Sequence, residues 1–272
     1  VIRAAAQTLA TSAPDGVPIV YERWGEAAPA LVYIHGWCCN RSYWRHQPEV
    51  LARGWRRLFL DLGGHGESGM RVQASLAAFA ADVTAVLEAE SVGQAILVGH
   101  SMGGVVALAA AQAARARVVG IVGIDTFKQP AQRLSDEQID SMLAGLQADF
   151  PGAIAALVKT RMFTPGLDTG LAEAVAASMA AQAPDMAVAA QRALLAAPYG
   201  DLLRETAARL PLGLINADYV PTDTAALKER CPRMEITIIP GNSHFPMLER
   251  PASFNPLLEA HIRRIAAAAG LR

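Results

Sequence analysis

The sequence predicts an α/β protein: an eight-stranded, mostly parallel sheet flanked by helices, with an inserted all-helical cap. Three observations predict it. Short β-rich runs alternate with longer Ala- and Leu-rich segments, the pattern of a sheet covered by helices on both faces. The later β-rich runs, such as Val118-Val119-Gly120-Ile121-Val122-Gly123-Ile124, are continuously apolar, as in parallel strands buried on both sides. The alternation then stops between about Phe127 and Leu210, where roughly eighty residues carry helical periodicity and no convincing strand.

In chain order the predicted strands are Gln7–Ser12, Ile19–Trp24, Ala30–His35, Arg57–Asp61, Ala95–His100, Val118–Asp125, Leu212–Asn216 and Glu235–Ile239. Asp15-Gly16 between the first two reads as a two-residue hairpin turn, so the sheet should open with an antiparallel edge pair. Residues 1–126 and 210–272 form the expected core domain and 127–209 the cap. Within the cap, Pro130, Pro151, Pro165, Pro184 and Pro198 mark about four helices, the first opened by a capping box at Ser135-x-x-Gln138. Its Ala, Leu and Met faces are expected to pack against the sheet. No internal repeat or low-complexity linker interrupts the chain.

Composition narrows the function classes. With 272 residues, 52% hydrophobic and 18% charged, the chain is too apolar and too weakly charged to be disordered. Lys and Arg total 24 against 25 Asp and Glu, a net charge of -1, and no basic stripe forms, so a nucleic-acid partner is not expected. The longest nearly apolar stretch, Met102 to Ala111, is far below the roughly 18 residues that span a bilayer, and no membrane partner is expected. The chain starts at Val1 rather than Met, which leaves a removed leader and secretion open. Cys38, Cys39 and Cys231 cannot all pair, and adjacent Cys38 and Cys39 match no zinc spacing. Three thiols fit a reducing compartment, and a cytoplasmic location is expected.

The sharpest motif is Gly99-His100-Ser101-Met102-Gly103-Gly104, between the apolar strand Ala95–His100 and the helix-prone Val105–Ala114. It reads as a nucleophile elbow, a turn so tight that the residues two before and two after the serine must be small. Ser101 then stands above a helix N-terminus, whose free N–H groups favour an anion. A serine needs a base within hydrogen-bond reach, and His244, in the loop after the last strand, lies at the same sheet edge. His100 is fixed in the turn, His35 and His65 sit in glycine-rich loops, and His46 and His261 read as helix surface. At His35-Gly36-Trp37-Cys38-Cys39 a glycine lets the backbone turn inward, so the Trp37 and Met102 amides are the candidate oxyanion hole.

These pieces, with Asp61-Leu62-Gly63-Gly64-His65-Gly66-Glu67-Ser68 between them, resemble an α/β-hydrolase-fold protein with a helical cap, in that family's order and over essentially the whole chain. The resemblance implies a Ser-His-acid triad, the Asp61 loop serving the active-site floor. That family usually places the acid after the seventh strand, but here Val220 falls near the expected position. Asp218 and Asp223 are nearby without clear register. Asp125, 24 residues after Ser101, resembles the acid that a subset of haloalkane dehalogenases carry after the sixth strand, and is favoured, with Asp218 the alternative. An aspartate there also fits a plain turn cap.

With Ser101 in place of an aspartate nucleophile, dehalogenation and epoxide opening are disfavoured. The expected reaction is hydrolysis of an ester-type bond in a small to medium apolar molecule through an acyl-enzyme; lactones and carbon–carbon bonds would use the same residues. The His-Gly-Trp-Cys run also resembles cofactor-independent dioxygenases of 3-hydroxy-4-quinolones, although Cys39 and Met102 replace histidines of that group. A non-catalytic ligand receptor on this fold is a third reading. Candidate substrate-binding residues are His35, Gly36, Cys38 and His100 from the loops and Phe150 and Phe163 from the cap, with Met142, Met162 and Met179 as further pocket roof. No cofactor is expected: no metal motif appears, and Gly63-Gly64-His65-Gly66 lacks dinucleotide spacing. The one expected partner is a small-molecule substrate.

Overall fold

The computed structural model describes residues 6–51, 54–71, 73–164 and 169–271. Its strands are β1 (Gln7–Ser12), β2 (Pro18–Trp24), β3 (Ala30–Ile34), β4 (Arg56–Leu60), β5 (Ala95–His100), β6 (Val118–Ile124), β7 (Leu212–Ala217) and β8 (Glu235–Ile239). They form one eight-stranded sheet in the order β1-β2-β4-β3-β5-β6-β7-β8. β2 runs antiparallel to both β1 and β4, and every later pairing is parallel. The fold class is the one expected. β3, β5 and β7 are buried at every position, which accounts for their unbroken apolar runs.

The first hairpin differs from the two-residue turn expected. Gly16 N–H donates to Ala13 C=O at 2.8 Å and Ala13 N–H to Val17 C=O at 2.9 Å, with Gly16 at φ +83°. The loop is therefore Pro14-Asp15-Gly16, a turn closed by a left-handed glycine. Pro14 is the reason: it has no N–H with which to close a two-residue turn against Val17, so the closing pair moves back to Ala13, and its fixed φ near about −65° suits the first corner of the longer turn.

The helices are α1 (Leu76–Ala89), α2 (Met102–Ala113), α3 (Asp136–Ala148), α4 (Phe150–Leu157), α5 (Thr169–Ala180), α6 (Pro184–Leu195), α7 (Tyr199–Ala207), α8 (Thr224–Arg230), α9 (Pro246–Glu249) and α10 (Pro251–Ala268). Five of them, α3 to α7, lie between β6 and β7, where about four were expected. The extra boundary is Asp149, which ends α3 and caps α4 by accepting from Gly152 N–H at 3.1 Å. The capping box at Ser135 and Gln138 forms as expected. Pro151 and Pro184 sit in the first turns of α4 and α6; Pro165 lies outside the described residues. α4 continues into a π-helical turn, Val158–Met162, an element concentrated at functional sites.

His261 corrects the surface reading. It is 2% exposed, with Nε2 2.9 Å from Thr237 Oγ1. α10 packs on β6 and β7, and Gly213 makes the room: a Cβ there would lie 2.6 Å from His261 Nδ1. His46 is exposed, as expected. No single helix among the described residues is long and apolar enough to cross a membrane.

Candidate active site

The parallel register gathers the candidate residues. Gly99 pairs with Ile34 on one side and Gly123 on the other, so the loops leaving β3, β5 and β6 open side by side at the sheet's carboxyl edge. Ser101 sits between β5 and α2 at φ +53°, ψ −118°, a strained conformation for a residue with a side chain, held because its neighbours allow no other path. Its N–H donates to Ile124 C=O at 3.0 Å, and the Thr126 hydroxyl donates to its C=O at 2.8 Å. The spacing of small residues follows from contact. A Cβ on Gly99 would lie 2.3 Å from Gly103 O, and one on Gly103 the same distance from Ile34 O.

Ser101 Oγ lies 3.1 Å from His244 Nε2, and His244 Nδ1 lies 2.5 Å from Asp125 Oδ2. This arrangement places the ring proton on Nδ1, donating to the carboxylate, and leaves Nε2 as acceptor for the serine hydroxyl. Asp125, 2% exposed, accepts three further bonds. Ala217 N–H and Lys128 Nζ reach Oδ1 at 2.9 and 2.8 Å, and the Tyr219 hydroxyl reaches Oδ2 at 2.9 Å. Burial alone would raise the Asp125 carboxyl; the hydrogen bonds from His244 and Lys128, with the Lys128 charge, outweigh it and hold the group below the ordinary carboxylate value. Asp218 accepts from Gly241 N–H at 2.9 Å, and Asp223 caps α8 through Ala226 N–H at 2.9 Å; neither carboxylate meets His244.

The backbone around His244 is held from several directions. His244 N–H donates to Met162 C=O at 3.0 Å, at the end of the π turn. His100 Nε2–H donates to His244 C=O at 2.8 Å. Ser243 and Phe245 N–H groups donate to the two carboxylate oxygens of Glu249 at 2.9 and 3.0 Å. Ser243 Oγ accepts from Thr164 N–H at 2.8 Å. His100 itself is fully buried, and burial first, then the neighbouring His244, pulls it down to about 3, so it is neutral.

On the opposite side of Ser101 runs the loop His35-Gly36-Trp37. Gly36 is required by close approach, since a Cβ there would lie 2.8 Å from His100 Nδ1 and 3.2 Å from Ser101 Cβ. Neither Trp37 N–H nor Met102 N–H meets an acceptor among the described residues. The Trp37 indole N–H donates to Ala187 C=O of α6 at 2.7 Å. Below the loop, Asp61 accepts from Arg41 N–H at 2.6 Å and Glu67 N–H at 2.9 Å, and so fastens its own loop to the segment after β3.

Two cavities meet at Ser101. One, of 140 Å³, is lined by Trp37, Cys39, His100, Met162, Met179 and His244 among others. The second, of 210 Å³, runs past Met102, Val105, Phe127, Leu134 and Tyr199. Of the expected substrate contacts, His100 lines the first cavity, and Met162 and Met179 roof it. His35 lies beneath, donating from Nδ1 to Gly36 C=O at 2.8 Å and accepting Leu62 N–H on Nε2 at 3.0 Å. Cys39, not Cys38, lines the cavity; Cys38 is turned away at φ +54° and fully buried. Phe163 stands behind Phe245, ring centroids 5.6 Å apart. Phe150 lies in a separate 730 Å³ cleft between α3, α4 and α6. Met142 is 54% exposed because α3 buries Ile139, Leu143 and Leu146 instead. Among the described residues no three His, Cys, Asp or Glu side chains converge as metal ligands.

Lys128, Tyr219 and Glu249 were not anticipated from the sequence. Tyr219 carried the one available signal, a hydroxyl-bearing side chain just past β7, the strand beside β6.

A tight strand–serine–helix turn, an imidazole on the loop after the last strand and a carboxylate after β6 define a class, and comparison agrees with it. The model of the alpha/beta hydrolase family matches residues 31–257, and the chain belongs to that family. Among curated relatives, the dihydrolipoyllysine-residue acetyltransferase component of the acetoin cleaving system of Cupriavidus necator is 35% identical over 108 residues, 39% of this chain and 29% of that protein. The chain thus spans under a third of that relative. The pimeloyl-(acyl-carrier protein) methyl ester esterase of Yersinia enterocolitica is 29% identical over 248 residues, covering 86% of this chain and 93% of that protein. A thermophilic esterase from Thermogutta terrifontis superimposes with a TM-score of 0.83 at 23% identity, over 95% of this chain and 99% of its own.

Proposed function

We propose that the protein is a serine hydrolase that cleaves an ester-type bond of a small to medium apolar molecule through an acyl-enzyme. The observation that carries the reading is the unbroken line from Ser101 Oγ through His244 to Asp125, beside two unpartnered amides. Ser101 attacks the carbonyl carbon as His244 Nε2 takes its proton. The Trp37 and Met102 N–H groups receive the oxyanion; each such donor is worth roughly 2.7–4 kcal/mol of barrier in other enzymes. His244 passes the proton to the departing alcohol, then draws one from the water that frees the acid. Asp125 holds the imidazole tautomer and offsets the charge of the imidazolium. In this reading residues 127–209 act as a cap whose methionines roof the site and keep water from it.

The ester reading is supported by the methyl ester esterase relative and by a serine at the elbow in place of the aspartate that dehalogenation or epoxide opening would use. The test is proton release from ethyl butyrate by the wild type and by Ser101→Ala. Repeated turnover in the first and none in the second is the expected result. Absence of turnover in the wild type, with oxygen consumed in the presence of a 3-hydroxy-4-quinolone, would replace this reading with the dioxygenase.

A further inference from the structure

We propose that Ser101 separates two seats for the two halves of its substrate: a short alcohol in the 140 Å³ cavity beside His244, and a longer acyl chain in the 210 Å³ cavity beside Met102. The substrate class is then an uncharged ester whose acyl part is the larger. This rests on the ester reading above and goes beyond it.

Ser101 and Leu194 are the two residues that line both cavities. Leu194, on α6, therefore forms the partition above the serine. Trp37 lines the smaller cavity and Met102 the larger, so an oxyanion between their amides falls on the divide, where the carbonyl carbon must lie. The direction of the two halves follows from proton transfer. When the bond from Ser101 Oγ to the carbonyl carbon has formed and the carbon–alkoxy bond breaks, the alkoxy oxygen takes the proton that Ser101 gave to His244 Nε2. That oxygen must lie within hydrogen-bond reach of Nε2, and His244 lines the smaller cavity alone. The alcohol leaves from there, water enters, and the acid is released from the other side.

Size and charge follow from the same walls. The cavity beside Met102 is the larger, 210 against 140 Å³, so the longer half of the substrate belongs there. Lys128 is the one Lys or Arg among the described residues lining either cavity, and its ammonium is taken by Asp125 and the carbonyls of Ala217 and Val220. A carboxylate on either half would meet no free positive charge.

The experiment follows two ester series by proton release. One lengthens the alcohol from methyl to hexyl butyrate, and the other lengthens the acyl part from methyl acetate to methyl octanoate. In the wild type kcat/KM should fall about tenfold or more between butyl and hexyl butyrate, while methyl hexanoate stays at least level with methyl butyrate. Met179→Ala opens the smaller cavity alone and should restore hexyl butyrate without helping methyl octanoate. Phe127→Ala opens the larger alone and should do the reverse. If either variant fails to fold, the wild-type series decide. An acyl series that cuts off before the alcohol series, or wall variants that aid both series alike, would overturn the two seats while leaving the ester reading intact. Turnover of no ester in either series would overturn both.

Discussion

The Tyr219 hydroxyl donates to Asp125 Oδ2 at 2.9 Å while standing 3.0 Å from His244 Nδ1. Tyr219 thus braces the one carboxylate oxygen that the imidazole uses, and Lys128, 4.7 Å above the Tyr219 ring centre, braces the other. A carboxylate fixed at both oxygens has one direction left in which to receive a proton donor. Tyr219→Phe keeps the ring and removes a bond to a charged group, worth about 1.5–3 kcal/mol. kcat should fall roughly 10- to 100-fold with KM little changed, read from steady-state kinetics on ethyl butyrate. A larger KM with unchanged kcat would show that Tyr219 serves binding instead.

The two candidate acids separate cleanly by substitution. Asp125→Asn should lower kcat by about 10⁴-fold, as loss of the orienting carboxylate does in related chemistry. Asp218→Asn, whose carboxylate accepts from Gly241 N–H, should stay within about threefold of the wild type. Near-full activity in Asp125→Asn would exclude its role.

Acid should unfold the protein early. Burial pulls His35 down to about 4, and His65 and His100 down to about 3, against roughly 6.5 in an unfolded chain. Above pH 6.5 both states hold these rings neutral and nothing is lost. As pH falls toward 4, the unfolded chain binds protons that the folded one refuses, so stability drops by up to about 1.4 kcal/mol per pH unit for each ring. Urea unfolding at pH 8, 6.5, 5.5 and 5 measures this; a flat profile would show that the rings are not buried neutral.

Gly103→Ala tests the elbow. The added methyl would meet the backbone carbonyl of Ile34 at 2.3 Å, and a central strand cannot yield as a side chain would. A loss of about 3 kcal/mol, or roughly 6–12 °C in Tm, is expected by thermal melting. An unchanged Tm would mean that the turn can open enough to clear the Ile34 carbonyl.

The sheet was legible because its strands announce themselves: Ala95–His100 and Glu235–Ile239 are bounded as the sequence suggested, their apolar runs ending at residues that must leave the sheet. Ser101 and its glycines were legible for the same local reason, a turn with no room for side chains. What escaped depends on contacts between distant segments. Nothing near Tyr219 in the chain says that the loop after β7 folds back over β6, and nothing near His261 says that Gly213 leaves a hollow for it. In the sequence Asp125 and Asp218 look alike because both follow strands at the same edge; in the structure Asp125 faces His244 of the β8 loop and Asp218 faces Gly241.

Trp37 and His244 both fasten to the helices between β6 and β7, Trp37 through its indole to Ala187 and His244 through its amide to Met162. Those helices therefore hold the backbone on either side of Ser101 as well as covering it. Any swing that lifted them to admit a molecule would unhook both sides of the serine together. The indole of Trp37 and the amide of His244 therefore tie the two flanks of Ser101 to one and the same run of helices, so that a shift of those helices would be felt on both flanks at once.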